Sequence, residues 1–102
     1  MDQFEVYLTR KPTHPGAFLK EDLLDEAGLT QDQLALALGV SRRTINQIVN
    51  ERRNISAEMA LRLAKYTSQS VGFWLNARTA WEVWEAHQAA REQLDKIKPL
   101  VA

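Results

Sequence analysis

Cysteine is absent from the 102-residue chain, which removes disulfides, thiol nucleophiles and thiolate metal sites together and leaves the compartment undecided. Only three prolines and four glycines punctuate it, too few turn formers for a many-stranded sandwich, so the composition leans toward helices. Apolar runs are short, and no basic segment followed by an apolar one opens the chain. Neither a membrane span nor a secretory leader is expected, and the cytoplasm is the default location. An excess of one charge is missing too: thirteen Lys and Arg balance thirteen Asp and Glu, so affinity for nucleic acid has to come from where the charges sit. His14 and His87 stand far apart without acidic or cysteine ligands at metal spacing, so no metal or cofactor is expected. The chain also shows no nucleophile–base pair and no phosphate loop, which argues against an enzyme.

What is present is the material of one packed domain: 45% apolar and 25% charged residues in a chain of about the modal domain length. The charges are segregated. Residues 20 to 40 hold one cation against five anions, and residues 41 to 54 hold Arg42, Arg43, Arg52 and Arg53 against Glu51. A compact fold can therefore present one acidic and one basic face.

Periodicity and punctuation predict an all-α fold of five helices. Residues 1–11, where Phe4, Val6 and Leu8 alternate with Glu5, Tyr7 and Thr9, read as an extended arm docked on the body or on a partner. Residues 12–68 form a four-helix core. Its first helix runs from Pro15 to Ala27, with His14 at the N-cap, Phe18, Leu19, Leu23, Leu24 and Ala27 inward, and Gly28 as the stop. Thr30 and Gln33 make a capping-box pattern for a second helix from Gln31 that ends at Gly39. Ser41 caps a third, from Arg42 to Glu51, with Ile45, Ile48 and Val49 inward; Ser56 caps a fourth with Ala57, Ala60, Leu61 and Ala64 inward. Residues 69–102 supply a longer last helix that closes the core and dimerises.

Residues 31–50 carry the functional signal. Two short helices that cross closely need a small residue at the fifth position, here Ala35, and a left-handed residue at the ninth, here Gly39. Leu34, Leu38, Val40, Ile45 and Ile48 fill the buried positions of a helix-turn-helix. The outward face of its second helix combines Arg42, Arg43, Thr44, Asn46 and Gln47. Arg can bridge guanine O6 and N7, and Asn or Gln can bridge adenine N6 and N7, so these five are the expected base contacts, with Arg42, Arg43 and Gln47 nearest the groove floor. Thr30, Gln31, Ser41, Asn50, Arg52 and Arg53 are the expected phosphate contacts.

The run His14-Pro15-Gly16, the segment from Leu29 to Asn50, the stretch Arg53-Asn54-Ile55-Ser56-Ala57-Glu58-Met59-Ala60-Leu61-Arg62-Leu63-Ala64 and the segment Phe73-Trp74-Leu75-Asn76 together resemble the HigA-type antitoxins. These are a branch of the XRE-type, lambda-repressor-like regulators. The resemblance covers roughly residues 12 to 85. It implies a mainly dimeric, five-helix DNA-binding domain that represses its own promoter at palindromic operator half-sites and neutralises a HigB-like mRNA endonuclease. Some members of this family are free-standing regulators, which is the alternative reading.

Two surfaces follow from those implied partners. On the last helix Trp74, Ala77, Trp81 and Trp84 fall at helical spacing. Either Trp74 and Trp81 close the core, or Trp81 and Trp84 meet a second copy. The favoured mixture keeps Phe73 and Trp74 in the core and puts Ala77 with Trp81 or Trp84 at a two-fold seam. The acidic residues Glu21, Asp22, Asp25 and Glu26 are expected to face a basic toxin.

Overall fold

A computed structural model describes residues 2–101. Five helices, and no strand among the described residues, surround one core. Helix α1 opens as an α-helix over Pro15–Phe18 and widens to π-type winding over Leu19–Glu26. Helices α2 (Gln31–Leu38) and α3 (Arg42–Val49) form the helix-turn-helix, α4 spans Ala57–Thr67 and α5 spans Val71–Asp95. Leu19, Leu34, Ile45, Ile48 and Leu63 are completely or almost completely buried at the centre, with Trp74 closing the cluster from α5. No helix among the described residues is long and apolar enough to cross a membrane.

The helix starts follow their local chemistry. Thr30 Oγ1 accepts from the Gln33 amide at 3.1 Å while Gln33 Oε1 accepts from the Thr30 amide at 2.9 Å, a complete capping box. Ser41, Ser56 and Ser70 accept in the same way from Thr44, Met59 and Phe73. Gly39, at φ 71°, ends α2 in the left-handed region that a residue with a Cβ occupies only at a cost.

Four expectations are corrected. The N-terminal segment is not extended: Asp2 accepts from the Phe4 amide through Oδ1 at 2.8 Å, and Glu5–Leu8 winds into one 3-10 turn. Phe4 and Tyr7, three apart, are then the half-buried pair, and the turn lies on α5 while Val6 and Leu8 remain exposed. In α1 the wider winding closes with the Ala27 amide donating to the Asp22 carbonyl at 3.1 Å. That adds a residue to the turn, so Ala27, inward on a 3.6-residue spacing, is exposed. Helix α3 ends at Val49, short of Glu51, and Val49 is only half-buried. Helix α4 is rotated by about one residue: Met59, Ala60, Leu63 and Ala64 face inward and Ala57 and Leu61 outward. A tertiary bond holds that rotation, because Arg62 Nη1 donates to the Leu38 carbonyl at 2.8 Å and so caps the end of α2.

Candidate nucleic-acid interface

Helix α3 is held from beneath. Ala35 is buried against it, and its carbonyl accepts from the Val40 amide at 3.0 Å, which tightens the turn out of α2. Ile45 and Ile48 are fully buried underneath. On the far side the start of α1 meets the end of α3 backbone to backbone. A Cβ at Gly16 would overlap the Ile48 carbonyl oxygen and lie 2.8 Å from the carbonyl carbon. Sequence reasoning missed this contact, since the two residues are 32 positions apart; the only local signal was a glycine in the first turn of a helix.

His14 prepares that approach. Its side chain is 2% exposed, and Nδ1 accepts from the Gly16 amide at 2.8 Å. The ring meets Trp81 edge-on at 4.8 Å. Burial lowers the His14 pKa from its ordinary value, and the nearby carboxylates of Glu51 and Glu85 partly oppose that. The cap needs the neutral ring, because an imidazolium has no acceptor nitrogen.

With its underside fixed, α3 turns its polar residues to solvent. Ser41, Arg42, Arg43, Asn46 and Asn50 are exposed, and Thr44 and Gln47 half-exposed. Apart from Arg43, their polar groups engage one another, the start of α2 or the loop after α3. Arg42 Nη1 lies 3.6 Å from Asp32 Oδ2, Asn46 Nδ2 donates to Gln31 Oε1 at 3.2 Å, and Arg53 Nη1 donates to Gln47 Oε1 at 3.4 Å. Asn50 Nδ2 donates back to the Asn46 carbonyl at 2.9 Å, and the Ser41 and Thr44 hydroxyls are 3.0 Å apart. The expected base and phosphate residues are thus brought onto one surface formed by the first turns of α2 and α3 and the loop after α3. Thr30 spends its hydroxyl on the capping box, and the first amides of α2, at Gln31 and Asp32, have no intrahelical acceptor by position. Arg52 and Arg53 are exposed beside that surface. The loop that carries them is tied to α5 by Asn54, whose Nδ2 donates to the Arg78 carbonyl at 3.1 Å.

The other expected surfaces lie elsewhere. Trp81 is 9% exposed, covered by His14, by Trp84 at a centroid distance of 5.3 Å and by the Lys11 ammonium 5.5 Å above its ring. Trp81 therefore joins Trp74 in closing the body, and Ala77 and Trp84 remain half-buried on α5. Glu21, Asp22, Asp25 and Glu26 are all exposed on α1, with Lys20 reaching Asp25 at 4.0 Å.

Known proteins share this arrangement. A helix-turn-helix family model matches residues 19–74. An uncharacterized HTH-type transcriptional regulator of Escherichia coli, YbaQ, is 40% identical over 92 residues, covering 88% of this chain and 81% of that protein. Antitoxin HigA-1 of Vibrio cholerae is 33% identical over 91 residues, covering 89% and 86%. Among solved structures, the Pseudomonas aeruginosa antitoxin HigA with the higBA promoter superposes with a TM-score of 0.84 at 40% identity, covering 89% of this chain and all of that one. With the matched helix-turn-helix, the buried underside of α3 and the exposed polar face above it, the chain belongs to the XRE-type helix-turn-helix family of DNA-binding regulators, in the branch that holds the HigA antitoxins.

Proposed function

We propose that this protein is a sequence-specific antitoxin and autorepressor: it binds palindromic operator half-sites as a homodimer and neutralises a HigB-like mRNA endonuclease in the cytoplasm. The observation that carries the DNA half is the exposed guanidinium and carboxamide face of α3 over a fully buried Ile45 and Ile48. Arg42, Arg43, Thr44, Asn46 and Gln47 read base edges in the major groove. Thr30, Gln31, Ser41, Asn50, Arg52 and Arg53 meet phosphates on either side. A second copy meets the first along α5 at Ala77 and Trp84, with Trp81 behind them. The two recognition helices then enter successive major grooves about 34 Å apart.

The toxin half rests on family likeness and on the exposed carboxylates Glu21, Asp22, Asp25 and Glu26 of α1, which suit the basic surface of an RNA-cleaving partner. A free-standing regulator is the second reading. It is supported by the 40% identity to the uncharacterized regulator YbaQ, which equals that to the Pseudomonas aeruginosa antitoxin HigA.

Selection of bound duplexes from a random library tests the DNA half. Inverted half-sites about one helical turn apart are expected, and failure to enrich any sequence would remove it. For the toxin half, a HigB-like protein encoded beside this chain is titrated by calorimetry against the wild type and a variant with Glu21, Asp22, Asp25 and Glu26 reversed to Lys. The reversal should weaken the complex; undiminished affinity removes the acidic face from the account, and no binding to the wild type leaves the free-standing regulator.

A further inference from the structure

The surface offered to DNA contains carboxylates that the proposed contacts do not use, Glu51 between Asn50 and Arg52 in the loop after α3 and Asp32 on α2, and of these Asp32 is paired with a proposed base contact. Asp32, in the first turn of α2, points at Arg42, the first residue of α3, with both side chains about two-thirds exposed. An exposed ion pair of this length adds almost nothing to folding, and an acidic group beside the place where phosphates dock works against affinity for any duplex. The contact is made through a single guanidinium nitrogen, Nη1 at 3.6 Å. The opposite edge of the guanidinium, with Nε and Nη2, keeps the paired donors that guanine O6 and N7 accept.

We propose that Asp32 is a positioning residue for sequence discrimination: it steers Arg42 by one nitrogen toward the groove and raises the free energy of complexes in which Arg42 has no guanine to read. On an operator the free donor edge meets a base while the carboxylate still balances the buried guanidinium charge. On unrelated DNA, Arg42 must leave Asp32 for a phosphate, and the carboxylate is left facing the backbone unpaired. The neighbouring pairs do not carry the same effect, because Asn46–Gln31 and Gln47–Arg53 leave no anion behind when they open. This inference rests on the reading of Arg42 as a base contact.

The test measures dissociation constants of the full chain on its selected duplex and on a scrambled duplex of the same length, for wild type, Asp32→Asn, Arg42→Ala and the double variant. Thermal melts of the four should agree within a few degrees, as exposed pairs imply. Asp32→Asn is expected to tighten binding to scrambled DNA more than to the selected duplex, lowering the ratio of the two affinities about two- to fivefold. In the Arg42→Ala background the same substitution should leave that ratio unchanged. Equal tightening on both duplexes overturns the proposal, since the carboxylate would then be only a repulsive charge. A ratio change that persists without Arg42 overturns it as well, because Asp32 would then read DNA itself. Arg42→Ala alone reports separately on the underlying reading: an equal loss on both duplexes removes Arg42 from base recognition.

Discussion

Two glycines occupy the second position of a helix in this protein, and they should respond oppositely to one added methyl group. Gly16 follows Pro15 in α1, and Gly72 follows Val71 in α5. At Gly72 a Cβ would meet nothing nearer than Ser70 Oγ at 3.8 Å. Alanine there reduces the freedom of the unfolded chain without strain, so Gly72→Ala should be neutral or stabilise by up to about 1 kcal/mol. At Gly16 the same methyl overlaps the Ile48 carbonyl, a backbone group of α3. No rotamer change relieves that, so α1 and α3 must move apart. Overpacking of this kind costs roughly 1–3 kcal/mol, more where backbone must shift, and the upper part of the range is expected here. For a domain of this size about 3 kcal/mol corresponds to a loss of roughly 12–24 °C in Tm. Urea denaturation of both variants checks the stability. Operator affinity measured well below the melting point checks whether the residual structure has displaced α3. A Gly16→Ala protein as stable as the wild type, with full affinity, would refute the view that α3 is seated on the backbone of α1.

Further outcomes follow from the cap and from the core. Burial lowers the folded-state pKa of His14 below its ordinary 6.5, so between the two values the unfolded chain binds more protons than the folded one. Stability from this group is therefore complete above about pH 6.5 and is lost as pH falls through the folded-state value. Urea midpoints from pH 8 down to pH 5 should show this loss, and His14→Asn, which keeps a capping oxygen, should flatten it; a flat wild-type profile contradicts the buried neutral cap. Leu63 is completely buried on α4 and Leu61 is 56% exposed. Leu63→Ala should thus cost about 2–5 kcal/mol and Leu61→Ala under about 1 kcal/mol, and the reverse order would place α4 in the other rotation.

What could be read from the sequence was short in range. The capping box of Thr30 and Gln33, the Ser41 cap, the left-handed Gly39 and the small Ala35 all act within a few residues, and each lies where its chemistry predicts. The exposed face of α3 follows from the same short-range pattern. What could not be read depends on distant partners. The rotation of α4 is held by Arg62 reaching a carbonyl 24 residues away, and the need for glycine at position 16 arises only when Ile48 arrives. Trp81 shows both limits at once. Its spacing marks it as apolar and leaves open whether the core or a second copy covers it, and only the folded chain shows that His14 and Lys11, from the segment before α1, lie against it. The alternation in residues 4–9 misled because so short a pattern does not distinguish a strand from a turn in which Phe4 and Tyr7 share a side.

The central claim is that the exposed face of α3 recognises base sequence, and Arg42→Ala on matched duplexes tests it most directly. On the selected operator the account predicts a loss on the order of 1–3 kcal/mol, with tolerance relaxed at one base position and a much smaller loss on scrambled DNA. A loss of the same size on both duplexes, with no position relaxed, would contradict it.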